Sequence, residues 1–176
     1  MLKLILLSLA LLLAGILLYA GTKPDVFRVE RSLLIQAPAE RLLPYLEDFH
    51  RWAAWSPYEK LDPAMQRRYS GAERGPGASY AWESQGKAGV GRMTILASQP
   101  EELKIDLEFI KPFPARNLAL FTLRPEAGGT RLSWSMQGPN PYIAKVMQVF
   151  FNIDRLVGAD FETGLASLKA LAESET

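Results

Sequence analysis

The sequence predicts an α+β domain: a curved antiparallel sheet of about seven strands wrapped around a long C-terminal helix. Two short helices follow the first strand, and an N-terminal apolar helix precedes it. Three observations carry this reading. Apolar and polar residues alternate with period two through most of residues 27–137. After "GPNP" the period changes to that of a helix. An uncharged apolar run, Leu4 to Gly21, opens the chain.

The opening run, "LILLSLALLLAGILLYAG", approaches the roughly 20 apolar residues that a bilayer-spanning helix needs. A cleaved signal peptide is the rival. Its apolar region is usually about 7–15 residues long and ends at a small-x-small site. Here the run is longer, and the candidate site "LYA" carries Leu18 at its outer position. Residues 1–22 are therefore read as an uncleaved membrane anchor, and residues 23–26 as a linker. Residues 27–172 form the folded domain and residues 173–176 a tail. Lys3 lies on one side of the run and Lys23, Arg28 and Arg31 on the other, so charge alone does not orient it. The short leading tail places the domain outside the cytoplasm.

"VFRVERSLLIQ" sets Phe27, Val29, Leu33 and Ile35 on one face, with Arg31 as an exception on that same face. "APAERLLPYLED" begins a helix at Pro38 and turns Leu42, Leu43 and Leu46 inward; Pro44 makes it short or kinked. A hairpin turns at Gly75, Pro76 and Gly77. Ala78, Tyr80 and Trp82 face one way, and "QGKAG" makes the next turn. Then Gly91, Met93 and Ile95 face inward, followed by Leu103, Ile105, Leu107 and Phe109 on the cleanest strand. "NLALFTLRP" and "TRLSWSMQG" form a last hairpin, with Leu132, Trp134 and Met136 inward. From Tyr142 onward the pattern predicts one helix of about thirty residues, well beyond the usual length. Its stripe is Ile143, Val146, Met147, Phe150, Val157, Phe161, Leu165 and Leu168.

Composition removes several function classes. Lys and Arg number 20 and Asp and Glu 19, a balance without the basic footprint of a nucleic-acid partner. The absence of cysteine excludes disulfides, thiol nucleophiles and thiolate metal sites, and a single histidine excludes a multi-histidine zinc site. The glycine-rich "GAERGPG" and "GKAGVGR" match neither a P-loop nor a dinucleotide fingerprint, and no cofactor or metal is called for.

Asp154 falls on the predicted apolar stripe, where a carboxylate is costly unless paired, hydrogen-bonded or protonated. It is the candidate acid–base group, with Arg31 as its candidate partner; a structural ion pair is the plainer alternative. Asp106 and Glu108 share a strand face whose alternation reads as solvated. His50 stands beside aromatics with no acid partner assigned to it, and reads as structural.

The quoted strand and helix order, together with "RSLLIQAPAERLLPYLEDFHRWAAWSPYEKLDP", "GPGASYAWES", "GVGRMTI", "LEFIKPFPARN", "GTRLSWSMQG" and "DRLVGADFETGLASLKAL", resembles the START-like (SRPBCC) helix-grip superfamily. More narrowly, it resembles the polyketide cyclase/dehydrase and lipid-transport family in its membrane-anchored members. The resemblance runs from about Val26 to Ala172. It implies a hydrophobic cavity between sheet and long helix. Tyr69, Tyr80, Trp82, Met93 and Phe109 are then candidate wall residues. So are Phe121, Trp134, Met136, Met147 and Phe150, with Asp154 beside them. Each of these also suits an ordinary packed core. Trp52, Trp55 and Tyr58 are candidates for the rim, or for a cap on the core.

Three readings of function follow. The favoured one is a membrane-tethered binding domain for a hydrophobic small molecule or lipid. The second is a cyclase- or dehydratase-like enzyme using Asp154. The third is a protein-interaction module whose cavity is packed shut and whose exposed rings meet a partner.

Overall fold

The computed structural model describes residues 1–86 and 88–174. Helix α1 (Leu2–Gly21) leads through a short linker into strand β1 (Val26–Ile35). Helix α2 (Ala39–Glu47), a 3-10 turn, the short helix α3 (Trp52–Trp55) and a second 3-10 turn (Pro57–Lys60) come next. Six strands follow: β2 (Gln66–Gly71), β3 (Ala78–Glu83), β4 (Val90–Gln99), β5 (Glu102–Lys111), β6 (Ala115–Glu126) and β7 (Gly129–Pro139). The chain ends in α4 (Tyr142–Phe150) and α5 (Ile153–Ser174). The sheet is antiparallel throughout, in the order β1-β7-β6-β5-β4-β3-β2. It curves around α5, giving the α+β helix-grip architecture. Two sequence assignments reach undescribed residues. The "QGKAG" turn contains Lys87, and the tail is helical through Ser174 before its last two residues.

The strands form where alternation predicts them; β3 to β7 and β1 bury one face and leave the other wet, whereas the edge strand β2 is exposed along nearly its whole length. On the outer face Asp106 accepts from Arg116 at 2.8 Å, and Glu108 accepts from Arg92 at 2.5 Å. The hairpin between β2 and β3 turns through Gly75 and Gly77, both at positive φ (71° and 88°), a conformation that favours glycine.

The aromatic segment after α2 has a local logic. A helix leaves its last carbonyls without intrahelical partners. Here the indole N–H of Trp55 donates to Tyr45 O and that of Trp52 to Leu46 O, both at 3.0 Å. The Gly75 N–H takes Glu47 O at 2.9 Å. The two tryptophans thus finish α2 and bury their rings in the core in one step. α2 spans nine residues despite holding Pro44.

The single long C-terminal helix is corrected. The chain breaks at Phe151 and Asn152. Phe151 is extended (φ −124°, ψ 128°) and its N–H closes α4 on Met147 O at 3.0 Å. The Asn152 side chain then accepts from Arg155 N at 2.9 Å, capping the start of α5. The predicted stripe is divided. Phe161, Leu165 and Leu168 are buried on α5, with Val157 partly so, whereas α4 packs against α1.

The space under the sheet has two halves. At the end where β1 finishes, Ile35, Leu42, Leu46, Leu103, Leu123, Leu132, Leu165 and Leu168 form a fully buried core. Toward the opposite end, where β1 starts and β5 finishes, the interior is open. α1, the linker and α4 join the domain at that open end. α1 is long and apolar enough to cross a membrane, and only 6% of its apolar window is buried.

Candidate functional site

A cavity of about 330 Å³ lies between the sheet and the first turns of α5. An aromatic layer floors it. Trp134 on β7 stacks on Phe161 of α5 (centroids 4.1 Å apart) and on Phe121 of β6 (5.1 Å), and meets Trp55 edge-on at 5.5 Å. α5 is able to approach this layer because residue 164 is glycine: a Cβ there would stand 2.8 Å from the Trp134 ring. Above the layer the walls are Tyr80, Trp82, Met93, Leu107, Phe109, Ala119 and Met136. All are inward positions of strands, placed there by the period-two pleat. Leu61, Ala88 and Val157 form the more accessible rim. This apolar cavity is suited to binding a hydrophobic ligand.

A few polar groups face it. The Tyr58 hydroxyl lies near the Asp160 carboxylate, and burial first, then that negative charge, push the phenol well above its ordinary range. The Tyr80 hydroxyl donates to Glu59 at 2.5 Å and is likewise pushed up, by burial and then by Glu59. The Glu59 side chain, only 6% exposed, also receives Arg67 Nε at 2.6 Å, and Arg67 Nη2 donates to the Glu59 carbonyl at 3.0 Å. Both tyrosines therefore remain protonated donors at neutral pH. Ser56 Oγ, on the cavity wall, is buried with no hydrogen-bond partner among the described residues. Among those residues no group of three or more His, Asp or Glu is placed to hold a metal ion.

The sequence-predicted residues are divided by the structure. Trp52, Tyr58, Tyr80, Trp82, Met93, Phe109, Trp134 and Met136 come together around the cavity. Trp55 and Phe121 lie fully buried in the floor. Tyr69 is exposed on β2, stacked with His50 at 4.0 Å. His50 does have an acid partner: Asp48 Oδ1 lies 3.0 Å from its Nδ1. Met147 and Phe150 lie away from the cavity, because the helix break at Phe151 and Asn152 sends α4 off toward α1; Asp154, in the first turn of α5, is held at the surface by Arg31.

Asp154 is in the first turn of α5, its side chain 59% exposed rather than set in an apolar stripe. Arg31 forks onto its two carboxylate oxygens at 3.1 and 3.0 Å and places Nε 2.7 Å from Glu162. The guanidinium lies over Gly158, where a Cβ would come within 2.1 Å of it. The hydrogen bonds from Arg31 hold the Asp154 carboxyl below the usual carboxylate range, opposite to what a buried general acid requires. This is a clamp between β1 and α5. Because the folded-state pKa is lowered, its contribution is complete above the unfolded value and disappears as pH falls through the folded one. Asp154→Asn is expected to lower stability at pH 7 by less than about 1 kcal/mol, given the exposure of the pair. Urea unfolding at pH 7 and again near pH 3, below the unfolded carboxylate value of about 3.9, should show that difference shrink.

Sequence reasoning missed Glu59, Asp160, Ser56 and Ala119. Asp160 follows Val157 by three residues and precedes Phe161, a spacing that puts it at the edge of the inward face. Glu59 gives no such sign, because its partners Arg67 and Tyr80 come from β2 and β3.

Similar folds are known. Protein MLL2253 from Mesorhizobium loti is 21% identical, with a TM-score of 0.59, over 85% of this chain and 99% of its own. Protein CV1439 from Chromobacterium violaceum is 19% identical, with a TM-score of 0.58, over 86% and 99%. The di-domain ARO/CYC protein StfQ of the steffimycin biosynthetic pathway is 14% identical, with a TM-score of 0.61, over 85% of this chain and 51% of its own. At such identities the likeness shows the fold alone. No curated protein matches by sequence. The family pattern described as "Polyketide cyclase / dehydrase and lipid transport" matches residues 26–173, nearly the whole folded part. With its helix-grip sheet and apolar cavity, this chain belongs to that family, within the START-like superfamily.

Proposed function

We propose that the protein is a membrane-tethered binding module, taking a hydrophobic small molecule or lipid into the cavity between sheet and α5. One observation carries this: the open half of the interior, with its apolar walls, lies at the end of the sheet to which α1 is joined. α1 supplies the tether. It is 20 residues long, with mean hydropathy 2.5 and almost no protein cover, a surface that water disfavours and acyl chains accept. Tyr19 and Lys23 at its end suit a membrane–water boundary, the ammonium lying 5.0 Å from the ring centroid. The domain then stands outside the cytoplasm with its cavity mouth toward the bilayer, a source of apolar ligand. Ser56, Tyr58 and Tyr80 supply the few polar contacts that orient a ligand in an otherwise apolar pocket.

An enzyme of the cyclase or dehydratase kind is a second reading. It is favoured by Tyr58 and Asp160 standing together on the cavity lining, a phenol and a carboxylate able to pass a proton to or from an enolate-like oxygen. The test is polymer extraction of the full chain from its host membrane without detergent, followed by native mass spectrometry and identification of what dissociates. One apolar molecule per chain supports the binding module. Chemical conversion of that molecule on incubation, lost in Tyr58→Phe, moves the assignment to an enzyme. A chain carrying only the bulk lipids of the membrane overturns both.

A further inference from the structure

α4 is amphipathic in an inverted sense. Its polar residues face the protein: the buried Lys145 ammonium donates to Asp25 at 2.6 Å, and Gln148 donates to Asn140 at 2.7 Å. Its apolar residues face away. Ile143, Met147 and Phe150, spaced i, i+4, i+7, are 69%, 49% and 65% exposed, and Phe151 extends the patch. Single exposed apolar residues are ordinary, but an aligned patch marks a surface that is covered by something.

The position of α4 identifies the cover. It packs on the last turns of α1, and the Tyr142 hydroxyl donates to Leu17 O at 2.8 Å. Leu17 precedes the end of α1 by four residues, which at 1.5 Å per residue is about 6 Å of depth. An amphipathic helix in a bilayer surface sits about 5–10 Å into the boundary of headgroups and acyl chains. Ile110 and Phe113, exposed at the β5–β6 connection, lie at the same end of the sheet.

We infer that the outer face of α4 is a lipid-binding face, lying in the surface layer of the same bilayer that α1 crosses and seating the cavity end of the domain on it. This rests on the reading of α1 as a membrane span. The patch is then continuous with the apolar surface of α1, and acyl chains are its partner.

The test separates the two claims. The full chain has no native cysteine, so single cysteines at Ala10, Met147, Phe150 and Glu73 are each labelled with an environment-sensitive fluorophore. Each labelled protein is reconstituted in phosphatidylcholine/phosphatidylglycerol vesicles, with and without lipids bearing a quencher on the acyl chain. Ala10 reports the span; Glu73, exposed on the distant β2–β3 turn, is the control. Strong quenching at residues 147 and 150, several-fold above that at 73, is the expected result. Quenching at 10 without quenching at 147 and 150 leaves the tether standing and overturns the lipid face. Quenching at 147 and 150 without quenching at 10 keeps the face and overturns the span. Probes at 147 and 150 that are shielded from aqueous iodide yet untouched by the lipid quencher reveal a protein partner, and also overturn the proposal.

Discussion

Replacing Trp134 by alanine is expected to cost about 3–5 kcal/mol, the range for removing a large buried ring. The upper part of that range applies. The ring is shared by three elements, stacked on Phe161 of α5 and Phe121 of β6 and edge-on to Trp55 of α3. Its loss opens the cavity floor into the core below, so the neighbours have little to collapse onto. Gly164 would also lose the surface it was cut to fit. Such a loss is a large fraction of the roughly 5–15 kcal/mol that holds a typical domain together. Urea unfolding of the full chain, followed by far-ultraviolet circular dichroism, measures it. A loss below about 1 kcal/mol, the scale of a surface substitution, would mean that the ring does not carry the packing between sheet and α5.

Ala119→Phe is expected to have the largest effect on binding. Ala119 is buried on β6 between Ile105 and Met136, with its side chain on the cavity wall. A phenyl ring grown from that point occupies much of the open volume without displacing the aromatic floor. Retention of the co-purified apolar molecule should fall at least tenfold, equivalent to about 1.4 kcal/mol. Because the ring enters open space, stability should change by less than the roughly 1–3 kcal/mol that overpacking of a filled core costs. Unchanged retention in a well-folded variant would place the bound molecule outside the cavity, among lipids around α1.

The strands were legible because burial on one side imposes a period of two. Trp82, Met93, Phe109 and Met136 could therefore be assigned inward from spacing alone, and the cavity walls come with them. The helix break was not legible. The 3.6-residue period runs through "VFFNIDRL" without interruption, and only Asn152, a good cap in an unremarkable place, marks the stop. The misplacement of Met147 and Phe150 followed from that one residue; Asp154 shares its helical face with Val157 and Phe161 but sits in the exposed first turn of α5, where Arg31 reaches it. Apolar spacing reports that a helix face is covered, not whether protein or lipid covers it, so the α4 stripe read as core. Glu59 was hidden for a different reason: its meaning depends on Arg67 and Tyr80, which only the sheet brings to it. The Asp48–His50 pair, by contrast, lay two residues apart and was within reach of the sequence.

The two-residue joint at Phe151 and Asn152 has a mechanical consequence. A body fastened to a surface at one point is free to swivel about it. In the arrangement proposed above, with α1 in the bilayer and α4 on its surface, the domain would be fastened twice, through residues 22–25 into β1 and through the joint into α5. Two fastenings leave rotation only about the line between them. In that arrangement they would narrow the directions in which the cavity mouth looks to one arc, so that the domain would meet the membrane far less at random than on a single tether.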